Sequence, residues 1–341
     1  MRHDGIAAGI DSRMTRRRIA FIYGAREVIW PGIVQSLMAE GGVVAETLVR
    51  CDEFVRTKLG WSLGQIMMYK GEHAPEHALE PILTAVQIAL TDGWRERGLV
   101  PDAVGARSGG EFAAAYARGA LSLEDALELA CRISLKMRDD PVSGCIVGVR
   151  QEVSVVERLQ RSSEIEFTIA ADDPHWGTIV ACPTENLAAL SRYFDGRDIK
   201  YECLPIPAYH SAAMQKWRDG MVSPLSGPQP TLPRCPGYSA ITGGLIDDTT
   251  SVSDYLWKAI RERVFIKLVL RKMICDDYSI FIEIGGHPCL SETIRDVAGE
   301  MGKTIVSIGS MRRQTSFADL KNESFDLLMK AGFTPDNSSL R

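Results

Sequence analysis

Along this chain, short apolar runs alternate with longer stretches in which apolar residues recur at helical spacing. Arg18-Ile19-Ala20-Phe21-Ile22-Tyr23 is an almost unbroken apolar run closed by Gly24, the pattern of a buried first strand. Helical spacing follows from Trp30 to Glu40, with Pro31 near the first turn, where a missing N–H is tolerated. A second helix is expected across Glu80 to Arg97, with Ile82, Leu83, Val86, Ala89, Leu90 and Trp94 on one face and Gly98 as its end. Ala103 to Gly105 reads as a short strand, and an Ala-rich helix then runs to about Arg118. Ser122 caps the next helix, with Glu124 and Asp125 in its first turn, where the helix dipole favours acids. This alternation predicts an α/β fold on a mostly parallel sheet.

Between Ser143 and Pro207 the rhythm changes. Strands are expected at 145–149, 166–170, 178–181 and 199–204, with helices at 153–160 and 184–194. The β-α-β-β-α-β order predicts a ferredoxin-like subdomain over 143–207, inserted into a large domain made of 18–142 and 208–341. Within that second part the pattern predicts a helix over 212–221, a Pro-rich loop over 223–236 and one continuous helix from Tyr255 to Cys275. A buried strand, Tyr278 to Ile284, ends at Gly285-Gly286-His287-Pro288, and His287 is read as part of that turn. A helix from Cys289, a strand from Thr304 to Ile308 and a helix from Phe317 to Ala331 complete the series. Residues 1–17 read as a disordered lead, basic near Arg16 and without the apolar run of a signal peptide.

Composition narrows the function. A net charge of −5 lacks the basic footprint that general nucleic-acid binding needs. No apolar run approaches the roughly 18 residues of a membrane span. The eight cysteines have no metal-ligand spacing and read as the reduced thiols of a cytoplasmic protein. Candidate chemistry concentrates in Val104-Gly105-Ala106-Arg107-Ser108-Gly109-Gly110-Glu111-Phe112. A strand ends at a serine, small residues stand two before and two after it, and a helix starts at once; this is the layout of a nucleophile elbow. The helix would aim free N–H groups and its positive end at charge developing there. Taken alone, the string is equally that of a glycine-rich loop before an Ala-rich helix.

Several stretches, in order, resemble the family of malonyl-CoA:acyl carrier protein transacylases and polyketide synthase acyltransferase domains. Trp30-Pro31-Gly32-Ile33 is similar to the family's WPGM, Leu83 to Glu111 to its helix, Pro-Asp and GHSxGE sequence, and Gly119 to Ala126 to its usual wording. Ala208-Tyr209-His210-Ser211-Ala212-Ala213-Met214 resembles the AFHSxxM segment that carries the catalytic histidine. Phe281 to Pro288 and Ser310-Met311-Arg312-Arg313 resemble FLEIGPHP and SLRR. The resemblance spans about 18 to 335. It implies an α/β-hydrolase-like large domain carrying a ferredoxin-like small one, with the active site between them.

Carried onto this sequence, the resemblance implies a Ser108 nucleophile, His210 as acid–base, no bound cofactor, and phosphopantetheine thioesters (acyl-CoA or acyl carrier protein) as substrates. Gly109 and Ala25 would supply the oxyanion-hole N–H groups. A backbone carbonyl around Ile284 to Gly286 would orient the imidazole. Tyr209, beside His210, joins the substrate-binding set. Lys216, Arg218, Arg312 and Arg313 are candidates for docking an acidic carrier protein.

Four departures bear on the substrate. The glycine loop reads Gly24-Ala25-Arg26-Glu27-Val28-Ile29, one residue longer than GQGSQ and without its glutamine. Arg107 replaces the histidine before the serine; it is a carboxylate binder, a packing residue paired with Glu111, or a sign of changed chemistry. The malonyl-binding arginine position holds Ile133, with Arg132 one residue earlier and about 100° around the helix. Asp172 stands for an asparagine of the small domain. The expected function is acyl transfer to or between carrier-protein thiols in polyketide, hence antibiotic, biosynthesis, with an acyl group other than malonyl. An acyl-carrier-protein thioester hydrolase on the same fold and a non-catalytic carrier-docking protein are the alternatives.

Overall fold

The computed structural model of the protein describes residues 17–67, 74–173, 175–204, 206–225, 232–313, 315 and 317–330. The chain begins with β1 (Arg18–Tyr23), α1 (Ile33–Ala39), α2 (Gly42–Leu59), α3 (Leu63–Met67) and α4 (Leu79–Arg95). β2 (Ala103–Ala106), α5 (Gly110–Ala117) and α6 (Leu123–Asp139) follow. Next come β3 (Cys145–Arg150), α7 (Val153–Arg161), β4 (Thr168–Asp173), β5 (Gly177–Cys182), α8 (Thr184–Asp195) and β6 (Tyr201–Leu204). The last part holds α9 (Arg218–Val222), β7 (Gly237–Tyr238), α10 (Val252–Arg261), α11 (Ile266–Cys275), β8 (Tyr278–Ile284), α12 (Ser291–Glu300), β9 (Val306–Gly309) and α13 (Phe317–Lys330).

β1 lies at the centre of a five-stranded parallel sheet ordered β7-β2-β1-β8-β9. Strands bond to it on both edges and helices cover both faces, so its residues are apolar without alternation. Ile19, Phe21 and Tyr23 enter one core, and Ala20 and Ile22 enter the other. α4 is buried on nearly every side, and two of its polar residues tie it to the sheet: Thr91 bonds Tyr23, and Gln87 reaches into the sheet ends. Ser122 accepts from the Asp125 N–H at 3.0 Å, as its capping position predicts.

A second sheet, antiparallel and ordered β4-β5-β3-β6, has its own core of Val147, Val149, Phe167, Val180, Leu190 and Phe194. The observed element order there is β-α-β-β-α-β. It joins the larger part where the Val264 N–H donates to the Ala170 carbonyl at 2.9 Å.

Two segments differ from the sequence expectations, and a third, 42–59, carried none. Residues 42–59 form α2, a helix whose only clear apolar stripe is Val44, Leu48, Cys51 and Val55. The stretch 212–221 opens as a 3-10 turn, Ala212–Trp217, before α9. The helix expected over 255–275 is two, α10 and α11, because 262–265 leaves helical geometry and bonds outward instead. There Val264 bonds Ala170, and the Phe265 N–H donates to Ala240 at 2.6 Å. The expected N-terminal lead, apart from residue 17, lies outside the described residues, as do Ala331, Pro174 and residues 226–231 of the Pro-rich loop.

Candidate active site

Ser108 sits two residues beyond β2 and two before α5, with φ of +52°. A side chain in that left-handed region costs of order 1–3 kcal/mol, and it persists only where the surroundings hold it. They do so through the flanking residues. The Arg107 N–H donates to the Tyr23 carbonyl at 3.0 Å, tying the turn to β1. A Cβ on Gly110 would meet the Gly24 and Tyr23 carbonyl oxygens at 2.6 and 2.8 Å, so glycine is required where helix and strand approach. Ala106 is fully buried.

His210, also at positive φ (+55°), follows the 207–209 turn and sits 102 residues along the chain from Ser108. Its Nε2 lies 2.9 Å from Ser108 Oγ, and its Nδ1 lies 2.8 Å from the Glu262 carbonyl oxygen. A carbonyl only accepts, so Nδ1 carries the proton and Nε2 turns its lone pair to the serine hydroxyl. Burial depresses the imidazole to about 4; the Glu262 carbonyl opposes that, and Arg107, Arg26 and Arg261 add to it. The ring is therefore neutral at pH 7 and free to take a proton.

The orienting carbonyl is that of Glu262, where a carbonyl of 284–286 was expected. The carbonyls of Ile284 and Gly286 have other partners. Gln87 Nε2 donates to Ile284 at 3.1 Å and to Gly24 at 2.8 Å, and the Trp30 indole donates to Gly286 at 2.8 Å. Glu262 becomes available because the chain breaks helix at 262–265.

The other expected site residues divide sharply. The Gly109 N–H has no hydrogen bond among the described residues. The Ala25 N–H is occupied: it donates to Glu27 Oε1 at 3.2 Å. Arg107 belongs to the site but does not pair with Glu111. Its guanidinium meets Glu27 at 2.9 Å and Asp173 at 3.2 Å. Glu111 instead accepts from the Tyr255 hydroxyl at 3.0 Å, and burial lifts it to about 7. Asp172 is not the carboxylate on Arg107, since alternation along β4 turns its neighbour Asp173 that way. One Asp172 oxygen is buried without a partner, and burial raises its pKa.

Arg132 is not placed to bind substrate. It pairs with Glu128 and donates to the carbonyls of Ser223 and Pro224 at 2.8 and 2.9 Å, closing the end of α9. Ile133 lies in the main core at 1% exposure. Tyr209 is buried too, with its hydroxyl on the Met137 sulfur and its ring beneath the Arg26 guanidinium, so it supports the pocket wall without presenting a polar group. Lys216 is paired with Asp140 at 2.6 Å, and Arg218 lies 3.9 Å from Asp254. Arg312 and Arg313 are exposed.

Sequence reasoning missed Arg26, Glu27, Glu80 and Asp173. Arg26 is clamped by Glu76 and by Glu80, the latter at 3.3 Å, and Glu80 packs over Gly109 so closely that a Cβ there would collide with its carboxylate. The available signal, for Arg26 and Glu27, was two adjacent charges one residue beyond a buried strand and its closing glycine. A separate cavity of about 200 Å³ behind α5, lined by Glu111, Arg118 and Tyr255 among others, does not reach Ser108 or His210. No cluster of metal-ligating side chains occurs among the described residues.

A strained serine at the end of a parallel strand, bonded to an oriented neutral imidazole, is the equipment of an acyl-transferring enzyme. The chain belongs to the acyl transferase domain family, whose profile matches residues 20–333, and is an acyltransferase. It is 31% identical over 305 residues to the spectinabilin polyketide synthase system protein NorA of Streptomyces orinoci, a match covering 87% of this chain and 16% of that protein. Thus the chain spans less than a fifth of that relative's length. Its fold is similar to that of the acyltransferase domain from module 8 of the salinomycin polyketide synthase, with a TM-score of 0.82, 24% identity and coverage of 95% and 78% of the two chains. MCAT from Streptococcus pneumoniae has the same fold, with a TM-score of 0.73, 20% identity and coverage of 89% and 100%. No helix among the described residues is long and apolar enough to cross a membrane.

Proposed function

We propose that the protein moves an acyl group between thioesters through a Ser108 acyl-enzyme, serving carrier proteins in polyketide biosynthesis in the cytoplasm. The observation that carries this reading is the Ser108–His210–Glu262 hydrogen-bond chain. His210 Nε2 takes the hydroxyl proton as Oγ bonds to the thioester carbonyl carbon. When the carbon–sulfur bond breaks, the proton passes to the leaving thiolate. An acceptor phosphopantetheine thiol then repeats the sequence in reverse, and the enzyme returns to its starting form. The Gly109 N–H, and the Ala25 N–H once released, hold the oxyanion. No bound cofactor takes part.

The acyl group is uncharged at its far end. Near Ser108 the two guanidiniums of Arg26 and Arg107 face four carboxylates, Glu27, Glu76, Glu80 and Asp173, so neither is free for a substrate carboxylate. Burying an unpaired carboxylate costs roughly 3 kcal/mol, which is about a hundredfold in loading. On this reading 143–207 is a ferredoxin-like subdomain that supplies Asp173 to the cleft, and 18–142 with 208–341 is an α/β-hydrolase-like domain that supplies the catalytic pair. Arg312 and Arg313, with Lys216 and Arg218 as secondary contacts, receive the acidic carrier.

The test is a chase. Protein loaded from an uncharged acyl-CoA such as butyryl-CoA is mixed with holo acyl carrier protein, and the carrier thioester and free acid are quantified. Transfer to the thiol is expected to exceed hydrolysis. Release only as free acid would make the protein a hydrolase.

A further inference from the structure

Glu27 occupies a particular place. It lies on the 3-10 turn Arg26–Val28, immediately after the loop whose Gly24 carbonyl rests against Gly110 of the elbow. One carboxylate oxygen, Oε1, accepts the Ala25 N–H at 3.2 Å and meets Arg107 Nη2 at 2.9 Å. Arg107 is adjacent to Ser108 in sequence, and its other terminal nitrogen is taken by Asp173 at 3.2 Å. A carboxylate therefore already sits on the backbone donor and on the guanidinium that an incoming anionic acyl group needs. The two partners differ in mobility: the Asp173 side chain is 10% exposed and also accepts the His175 and Trp176 N–H groups, whereas Glu27 is 33% exposed. Asp173 is fixed, and Glu27 is the partner that can swing away.

We propose that Glu27 is the residue that sets acyl-group charge selectivity, by standing in on Arg107 for the carboxylate of a malonyl-type substrate. This rests on the Ser108 acyl-enzyme reading above. An uncharged acyl thioester needs only the long Ala25 N–H bond to open for its carbonyl oxygen, and Glu27 keeps its closer contact with Arg107. A carboxylated acyl thioester must evict Glu27 from Arg107 as well, and it then faces the displaced charge at close range. Removing the Glu27 charge leaves Arg107 half-satisfied and able to accept a substrate carboxylate in bidentate or single-point fashion.

The experiment measures acyl-enzyme formation on the full chain by intact mass, with malonyl-CoA and butyryl-CoA as probes, for the parent, Glu27→Gln and Glu27→Ala. The readout is the ratio of malonyl to butyryl loading rates. It is expected to rise at least tenfold in E27Q and E27A, and to fall back when Arg107→Ala is added. Thermal melts establish folding, and the exposed position gives two independent variants should one be unstable. A ratio unchanged in both folded variants, with butyryl loading intact, overturns the role of Glu27 and leaves the acyl-enzyme reading standing. A parent that loads neither thioester overturns that reading itself, and a parent that loads malonyl as fast as butyryl overturns both the selectivity and its proposed cause.

Discussion

The elbow around Ser108 and the loop that faces it, residues 24–28, make up two sides of one site and follow opposite rules. On the elbow side every requirement is steric. Gly110 must lack a Cβ because two backbone carbonyls stand within 2.8 Å of where it would be, and Ser108 must hold φ of +52° for its hydroxyl to project. On the loop side the requirements are electrostatic. Arg26 is set by the carboxylates of Glu76, just before α4, and of Glu80 on α4, and Glu27 is set by the guanidinium of Arg107 at the elbow. The difference teaches that the serine's geometry depends on close backbone packing, whereas the charges that face it are held by exchangeable side-chain pairs.

That contrast can be broken in graded steps. His210→Ala removes the proton acceptor and is expected to slow acyl-enzyme formation by about 10³-fold, within the usual 10²–10⁴ range for such groups, measured by single-turnover loading. Gly110→Ala forces backbone apart at the elbow; it should cost at least about 2 kcal/mol of stability by denaturant unfolding, and loading should fall with it. If G110A is as stable and active as the parent, the steric account of the elbow is wrong. pH offers a milder probe. The working form of His210 is neutral, and its pKa is held at about 4, chiefly by burial. Loading should therefore stay level from pH 7 to about 5 and decline by roughly tenfold per unit only below 4. A decline centred near the ordinary 6.5 would show a ring far more solvated than this geometry allows. The smallest effect is expected at Arg132→Ala. Uncapping α9 should cost about 1–2 kcal/mol of stability and leave the malonyl-to-butyryl ratio unchanged, in contrast to substitutions at Glu27.

How much of this was legible follows the same division. The buried β1, the tight turn at Ser108 and the Ser122 cap could be read from residue type (apolar runs, small side chains at the turn, a hydroxyl at an N-terminus), whereas His210 stands out only through the resemblance of Ala208 to Met214 to a family segment. The Glu262 carbonyl could not. Every residue has a carbonyl, and Arg261-Glu262-Arg263-Val264 contains neither glycine nor proline to announce the break between α10 and α11. The break exists because Val264 and Phe265 find partners in Ala170 and Ala240, far away in sequence. Arg107 and Arg132 make the same point as a pair. Both were candidate substrate ligands by residue type, but one lies among Glu27 and Asp173 and the other closes a helix end. Their partners decide their roles, and partners distant in sequence leave no local pattern.

The central claim is that Ser108 carries the acyl group. Intact-protein mass spectrometry after mixing the protein with a panel of acyl-CoA and acyl-carrier thioesters tests it directly. The account predicts a single adduct with the mass of an uncharged acyl group, strong with butyryl-CoA, weak with malonyl-CoA and absent in Ser108→Ala. An adduct that survives S108A, or no adduct with any thioester while the protein is folded, would contradict it.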